Sequence, residues 1–590
     1  MTRAHASTTR TTFVCPAELS GSSDEGDDTS EQYCVVVGMP SRMHGQPSQE
    51  WPEHWDEVAD VVVVGGGAAG GAAAWSASRN GASVVLLEKA AIVGGTTAKS
   101  GGVIWIPNNH HLRAAGLIDN RDSAIRYMAR CAFPNKYAGH VADLGIGDLR
   151  LGLLETFYDN AAGLVEELES SGVVSFASLD YPDYNTQLAE NTTPLGRSLK
   201  IRYPSTWRKG VDSWGGNWLV ESLLSAAEQS GTRVHTGHQV HRVVQNDAGE
   251  VIGVEVRVGP RTKLVGARRG VVFASGGFLH NVSYREEFLR GPVFGGAASR
   301  TSTGDLVPIA AALGAQLGNM SHAWWDQVVL ELTHRLTETI DDVYSPFGDA
   351  MIIVNRFGRR VVNEKAPYNE RGQAHFEWDS HRLEYPNRVL FMIFDDDVLR
   401  STTKSPFRWP VPLAEERPDY LISGDNWEEL ALRINEHLAA MDSFVGGVRL
   451  DTTFIATLQT TLAQFNDAAR SGVDPDFARG STMLEQRWAG VARDGMPNSA
   501  MHPIRNAGPY HCILLGGGAL DTKGGPMTDS QARFLNFDGA VIPGVYGAGN
   551  CIASPAGQAY WGAGGTIGLA LTFGAIAGRH AAGQPDRAPL

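Results

Sequence analysis

The residues between Gly65 and Glu88 are spaced to hold a nucleotide. Gly65, Gly67 and Gly70 form a Gly-x-Gly-x-x-Gly turn with Ala68 and Ala69 inside it, and an acid, Glu88, stands about 20 residues on. The chemistry is recognition of a pyrophosphate and a ribose. Gly65 permits the tight turn, Gly67 lets the backbone approach the phosphates, Gly70 lets helix and strand pack closely, and Glu88 accepts from a ribose hydroxyl. The helix that starts in the turn directs its free N–H groups at the phosphates. An ordinary glycine-rich βαβ turn would show the same glycines but has no use for a second cluster after the second strand. This chain has one, Gly94-Gly95-Thr96-Thr97-Ala98-Lys99-Ser100-Gly101-Gly102. NAD enzymes do not need it, whereas flavoproteins that bury an isoalloxazine ring commonly carry one. The expected cofactor is FAD, with Lys89, Gly95, Thr96, Thr97, Ser100, Gly101 and Gly102 among its contacts.

Several elements must position these residues. An apolar run at 61–64 predicts a strand, small residues from 71 a helix, and a second apolar run at 83–87 another strand. Further along, helical periodicity at 217–228 precedes a strand-like 233–235. A hairpin comes next, with strands at 240–244 and 251–258 around an Asn-Asp-Ala-Gly turn. Residues 270–274 predict a buried strand ending in Ser275-Gly276-Gly277, and Thr303-Gly304-Asp305 precedes an alanine-rich helix at 308–313. Strands ending in glycine pairs suggest backbone packed on a ligand, and Val240, Ala274, Gly276 and Asp305 are assigned to the cofactor. From about 322 to 522 charged and aromatic residues rise, with a helical pair at 427–441 and 451–471. The chain then returns through a strand ending at Gly549-Asn550. A last helix begins near Thr566, with Gly564, Gly565 and Ile567 at a positive end suited to an anionic reduced flavin.

At 590 residues two domains are the natural expectation. Residues 1–55, acidic and Ser/Gly-rich, read as a mobile N-terminal extension. Residues 56–321 form the first part of an FAD-binding domain, 322–522 an inserted substrate domain, and 523–590 the return. The fold class expected is α/β (α+β overall): a Rossmann-like discontinuous FAD-binding domain carrying an inserted α+β domain. A net charge of −15 argues against nucleic acid and against anionic membrane as partners. No apolar run reaches the ~18 residues of a transmembrane segment, and the start lacks a secretory signal. Five cysteines without a Cys-x-x-Cys suit a reducing compartment and predict neither disulfide nor metal site. The expected location is cytoplasmic, free or peripheral to a membrane.

Together these blocks resemble the fumarate-reductase/succinate-dehydrogenase flavoprotein superfamily from residue 57 onward. The resemblance implies a discontinuous nucleotide domain with a substrate domain inserted before the last strand and helix. Residues 94–102 contain no histidine, where membrane-bound relatives attach flavin covalently, so the FAD is expected to be non-covalent. Two positions separate the branches. Soluble fumarate reductases carry Asn-Glu-x-x-x-Arg, with arginine as proton donor; here the frame reads Asn363-Glu364-Lys365-Ala366-Pro367-Tyr368. They also carry Arg-Leu-Gly-Gly, whose arginine grips a carboxylate; here the frame reads Tyr560-Trp561-Gly562-Ala563. Both changes remove a positive charge from a dianion site. The tyrosines instead resemble the 3-ketosteroid Δ1-dehydrogenase branch. Pro182-Asp183-Tyr184, Ala323-Trp324-Trp325, Thr522-Lys523-Gly524-Gly525 and Tyr560-x-Gly-x-Gly564 match it too.

That resemblance implies 1,2-desaturation of a hydrophobic 3-ketosteroid, with electrons leaving to an external acceptor. Tyr368 as phenolate would take the C2 proton and flavin N5 the C1 hydride. Tyr184 would stabilise the phenolate, and the Tyr560 hydroxyl with the Gly564 N–H would polarise the ketone. Free tyrosine titrates near pH ~10, so the base needs this help. The rivals are the 3-ketosteroid 4-ene-(5α)-dehydrogenase of the same branch, a fumarate-reductase-like reductase of an activated alkene, and a flavin protein with a dead site. The plain reading of each tyrosine is a pocket wall whose hydroxyl finds a partner, and Tyr181 competes with Tyr184 for the aligned position. His502 and His511 read as satisfied polar histidines, Cys551 as small-residue packing, and His110-His111 as side chains that point apart. Trp561 stands where the branch has proline, and would narrow the pocket mouth or pack outward.

Overall fold

The computed structural model describes residues 54–203, 215–339, 343–404 and 408–587. The N-terminal extension expected at 1–55 lies almost wholly outside the described residues. The valine run becomes the strand Glu57–Val64, in which Val61, Val62 and Val63 are fully buried. A strand paired on both edges and covered on both faces has no polar side to show, so it reads as continuous valine. It pairs in parallel with Val84–Leu87 and with Arg261–Phe273. Arg233–His235 and Val541–Gly547 extend the parallel core. The hairpin Gln239–Gln245 and Val251–Val258, with Arg533–Leu535, completes eight strands. One sheet thus draws on residues 57–273 and 533–547.

Small residues explain how two helices lie on this sheet. Ala68–Arg79 and Gly565–Ala582 cross almost backbone to backbone. A Cβ at Gly574 would sit 2.3 Å from Ala69 O, and one at Gly578 2.2 Å from Ala73 O. The repeated four-residue spacing on both partners makes a continuous contact that larger residues would prise open.

A second, six-stranded sheet is organised around Tyr510–Thr522, which pairs with Ala323–Val329, Val389–Asp395, Ile422–Gly424 and Gly295–Gly296. The helical pair read from the sequence forms as Trp427–Ala440 and Phe454–Ser471, and buries Leu430, Ile434, Leu458 and Phe465 in that sheet's core. A three-stranded sheet of Ile104–Trp105, Ser175–Ser178 and Ser198–Arg202 stands apart from both. Among the described residues no helix is long and apolar enough to cross a membrane.

Behind the small sheet lies a buried ion network. The Arg197 guanidinium, with no exposed side-chain surface, donates to Asp119 at 2.7 and 2.8 Å and also to Asp183. Asp183 accepts in addition from Trp105 Nε1 at 2.8 Å and from the Arg197 backbone N–H at 3.0 Å. Removing one partner of such a group strands charge in a dry interior, at about 3–5 kcal/mol. Asp183→Ala should therefore lower the unfolding midpoint in thermal melts of the holoprotein and loosen the neighbouring Tyr184. A parent-like midpoint would show that the network carries no stability.

Candidate active site

The glycine turn at the end of Glu57–Val64 opens on a cleft. Gly65 takes φ +105°, and a Cβ there would lie 2.4 Å from Ala274 O. A Cβ at Gly70 would lie 1.8 Å from Gly65 O. A Cβ at Gly67 would meet nothing closer than 3.5 Å, because it faces the open cleft. Glu88 is buried, and its carboxylate accepts from the N–H groups of Gly66 (2.9 Å) and Ala90 (2.8 Å). Each oxygen keeps a second lone pair for a ligand.

The cleft walls collect most residues expected to hold the cofactor. Gly65, Gly67, Ala68, Ala69, Glu88 and Lys89 line it from the first strand–helix–strand unit, and Gly95, Thr96 and Thr97 from the second glycine cluster. Val240, Ala274, Gly276, Asp305, Gly549, Asn550, Thr566 and Ile567 complete those contributions. Gly70, Ser100, Gly101, Gly102 and Gly565 stand behind the lining. Gly102, at φ +70°, packs against Gly215, where a Cβ would come within 2.5 Å of the backbone. Ser100 Oγ accepts from Gly102 N–H at 3.1 Å and donates to Thr97 O at 2.7 Å, so it shapes the loop from within. Lys89 Nζ donates to Asp305 at 3.0 Å and to Thr303 at 2.7 Å.

The sequence reading missed Ser275, Ser302 and Asp521, which also line the cleft. Asp521 accepts from Gly277 N–H at 3.0 Å and Asn550 Nδ2 at 3.2 Å, and Asn550 Oδ1 accepts from Trp324 Nε1 at 3.0 Å. Burial pushes the Asp521 carboxyl up to about 6. Its place immediately before Thr522-Lys523-Gly524-Gly525 was the available signal.

The donor set fits FAD. The helices Ala68–Arg79 and Gly565–Ala582 both start from glycines without a side-chain cap, and both open on the cleft. Each therefore offers first-turn N–H groups that lack an intrahelical partner. One suits a pyrophosphate and the other an electron-rich ring edge. Gly65→Ala should yield protein largely without flavin, read as the 450/280 nm absorbance ratio after purification. A parent-like ratio would show that the turn tolerates a Cβ.

Past the cleft three phenols converge. Tyr184, Tyr368 and Tyr560 are each about nine-tenths or more buried, with exposures of 5%, 4% and 5%. Their ring centroids form a triangle with sides of 5.3, 5.4 and 5.6 Å. Tyr184 OH donates to Tyr368 OH at 2.9 Å. Tyr184, not Tyr181, reaches the site, and Tyr181 lies instead under Arg487. Tyr368 opens the short helix Tyr368–Gly372 after Pro367. The next residue, Asn369, ties that helix down by accepting from Trp325 N–H at 3.3 Å and donating to Gln558 O at 3.2 Å. Tyr560 lies close over the start of the last helix, where a Cβ at Gly565 would meet its ring at 3.1 Å. Gly564 takes φ +88°, and a Cβ there would meet Val103 O at 2.4 Å.

Burial raises all three phenols above their ordinary range. At neutral pH the ligand-free trio is therefore protonated. Trp324 walls the trio 5.0 Å from Tyr560, and Tyr344 and Trp488 extend it, 5.1 Å from Tyr368 and 5.9 Å from Tyr184. Neither of the last two carried a sequence signal. Trp325 faces Phe376 instead. Trp561 neither narrows a mouth nor points outward. It is fully buried, donates to Met128 O at 3.1 Å and packs 5.3 Å from Trp105. Lys99 clasps Glu338 at 2.7 Å and Ala297 O at 2.8 Å. His502 and His511 have partners, and Cys551 packs with its thiol on Phe273 O and Ala548 O.

Residues 60–567 match the family described as FAD binding domain. The chain is 32% identical to the 4-oxocyclohexanecarboxylate 2-dehydrogenase of Sinomonas cyclohexanicum over 82% of this chain and 86% of that protein. It is 31% identical to the 3-oxosteroid 1-dehydrogenase of Mycobacterium tuberculosis over 69% of this chain and 70% of that one. The fold superposes on the 3-ketosteroid Δ1-dehydrogenase of Sterolibacterium denitrificans in complex with 1,4-androstadiene-3,17-dione. There the TM-score is 0.74 and the identity 26%, covering 89% of this chain and 99% of that chain. With its glycine cradle, two uncapped helices and this family match over most of its length, the chain belongs to the FAD-binding oxidoreductases of the fumarate-reductase/succinate-dehydrogenase flavoprotein superfamily.

Proposed function

We propose that this enzyme desaturates ring ketones beside the carbonyl, introducing the 1,2 double bond into the A ring of 3-ketosteroids. The observation that carries the reading is the buried tyrosine trio, two of whose members, Tyr368 and Tyr560, fall in the sequence frames where fumarate reductases carry arginine. Bound FAD, held non-covalently, supplies the acceptor for the C1 hydride, and the electrons leave to an external acceptor. The Tyr560 hydroxyl and the Gly564 N–H donate to the ketone oxygen, and so acidify the C2 proton. Donors aimed at developing charge are worth about 3–4 kcal/mol each. Tyr368 Oη takes the proton, and the Tyr184 hydroxyl, 2.9 Å away, stabilises the charge left on it. The second sheet with its helices serves as the substrate domain, inserted at 322–522 between the parts of the FAD-binding domain at 56–321 and 523–590. Uncharged walls suit a large apolar ring system, since a buried unpaired charge is costly.

A raised phenol pKa sets the pH dependence. Tyr368 lies above its ordinary value of ~10, because burial disfavours the charged phenolate. A group raised in this way stays protonated below its pKa, so the reactive phenolate is a minor form that grows with pH. We expect kcat/KM to climb toward alkaline pH, by about tenfold per unit while the phenolate is scarce. A profile flat from neutral to alkaline pH would contradict an ionising phenol.

Product analysis tests the substrate. With an artificial electron acceptor, a 4-ene-3-ketosteroid should give the 1,4-diene-3-ketone. Conversion of only a 5α-saturated 3-ketone to its 4-ene would move the reaction to the neighbouring bond. A single-ring 4-oxo acid is a second reading, favoured by the identity to the Sinomonas enzyme. Turnover of that acid with none of either steroid would replace the substrate and keep the tyrosine chemistry.

A further inference from the structure

The adjacent His110 and His111, expected to point apart, bring their ring centroids to 4.0 Å with a 39° tilt. Their helix, His110–Ala114, is set by Asn109, whose side chain accepts from the N–H groups of His111 and Leu112 at 3.1 Å. Glu169, in the last turn of Asp148–Ser170, reaches the pair. Its Oε2 lies 3.2 Å from His110 Nε2, while its Oε1 accepts from Phe176 N–H at 2.8 Å. One ring nitrogen of each histidine and one oxygen of Glu169 all lie within 4.8 Å of one another.

The hydrogen bonding leaves two ring nitrogens unused. His110 Nδ1 and His111 Nε2 are buried and without a partner. A neutral imidazole carries its proton on one nitrogen and presents the other as a lone pair, the form in which histidine ligates a metal. A buried polar atom with no partner costs free energy that a ligand would recover.

We propose that His110, His111 and Glu169 bind a divalent transition-metal ion of the zinc class, with water completing the set. Two imidazoles and a carboxylate match zinc in donor type, whereas calcium and magnesium call for more oxygen ligands than the trio offers. Bonds of about 2.0–2.1 Å require the three atoms to draw closer together, within reach of side-chain rotation at half-buried residues. The ion would tie the helix His110–Ala114 to the helix Asp148–Ser170. It would thereby brace the strand Ile104–Trp105, whose Trp105 N–H donates to Gly564 O at 3.1 Å. This proposal stands apart from the reaction assigned above.

The test uses the FAD-loaded protein, treated with chelator and then titrated with ZnCl2 under equilibrium dialysis. One saturable equivalent per chain is expected, with a higher thermal midpoint, and magnesium chloride at the same concentration should give neither. His111→Ala and Glu169→Gln should each weaken zinc binding by at least about tenfold and lose the rise in midpoint, while keeping the flavin absorbance. Should His111→Ala fail to fold, Glu169→Gln, which keeps the side-chain volume, decides. No saturable equivalent in the parent, or an equivalent of undiminished affinity in the folded variant, overturns the site.

Discussion

Tyr368→Phe should lower turnover by about 10²–10⁴-fold, the range a positioned proton-transfer group supplies, while leaving FAD content and ketone binding close to those of the parent. The substitution removes one oxygen and keeps the ring, so the packing against Tyr184, Tyr560 and Tyr344 persists. What disappears is the atom that accepts from Tyr184 at 2.9 Å. Steady-state rates with an artificial acceptor, beside the flavin absorbance of the same sample, separate chemistry from cofactor loss. The alkaline rise in kcat/KM should vanish with the phenol. Unchanged turnover would remove Tyr368 from the reaction, and a lost rate with lost flavin would make its role structural.

Tyr560→Phe should cost about 10²–10³-fold in kcat, the effect of deleting one donor to a developing oxyanion. The Gly564 N–H remains as the second donor, so residual activity is expected rather than none. The loss should fall on kcat more than on KM, because the bond tightens as negative charge builds on the ketone oxygen. The ring keeps its place against Trp324, 5.0 Å away. A loss confined to KM would recast the hydroxyl as a binding contact only.

The cofactor half of the site was legible because its signals are local. Gly65, Gly67, Gly70 and Glu88 sit within one strand–helix–strand unit, where backbone geometry dictates residue type. The reacting half is non-local. Tyr184 and Tyr368 are 184 positions apart and meet through one hydrogen bond; no periodicity announces that meeting, and only the resemblance pointed to it. Tyr344 and Trp488 escaped for the same reason, since an aromatic in a pocket wall and one in a core look alike in sequence. Trp561 shows the ambiguity resolved, because its partners Trp105 and Phe157 are supplied by distant segments. Ser100, Gly101 and Gly102 illustrate a subtler limit. The glycine cluster was read as cofactor contact, and its distal end also packs closely on Gly215, a second demand for glycine that the sequence did not reveal. The unexpected approach of His110 and His111 arises from Asn109 and Glu169 together, and the latter lies on a helix far along the chain.

The claim that joins both halves is that a ring ketone gives up a proton to the tyrosine site and a hydride to the cofactor in the adjoining cleft. Anaerobic addition of a panel of 3-ketosteroids, with the single-ring 4-oxo acid as comparison, tests it in one spectrum. Loss of the flavin absorbance near 450 nm on adding a ketone, with a parallel sample of Tyr368→Phe bleaching far more slowly, is the expected result. A flavin that stays oxidised with every ketone in the panel would contradict it.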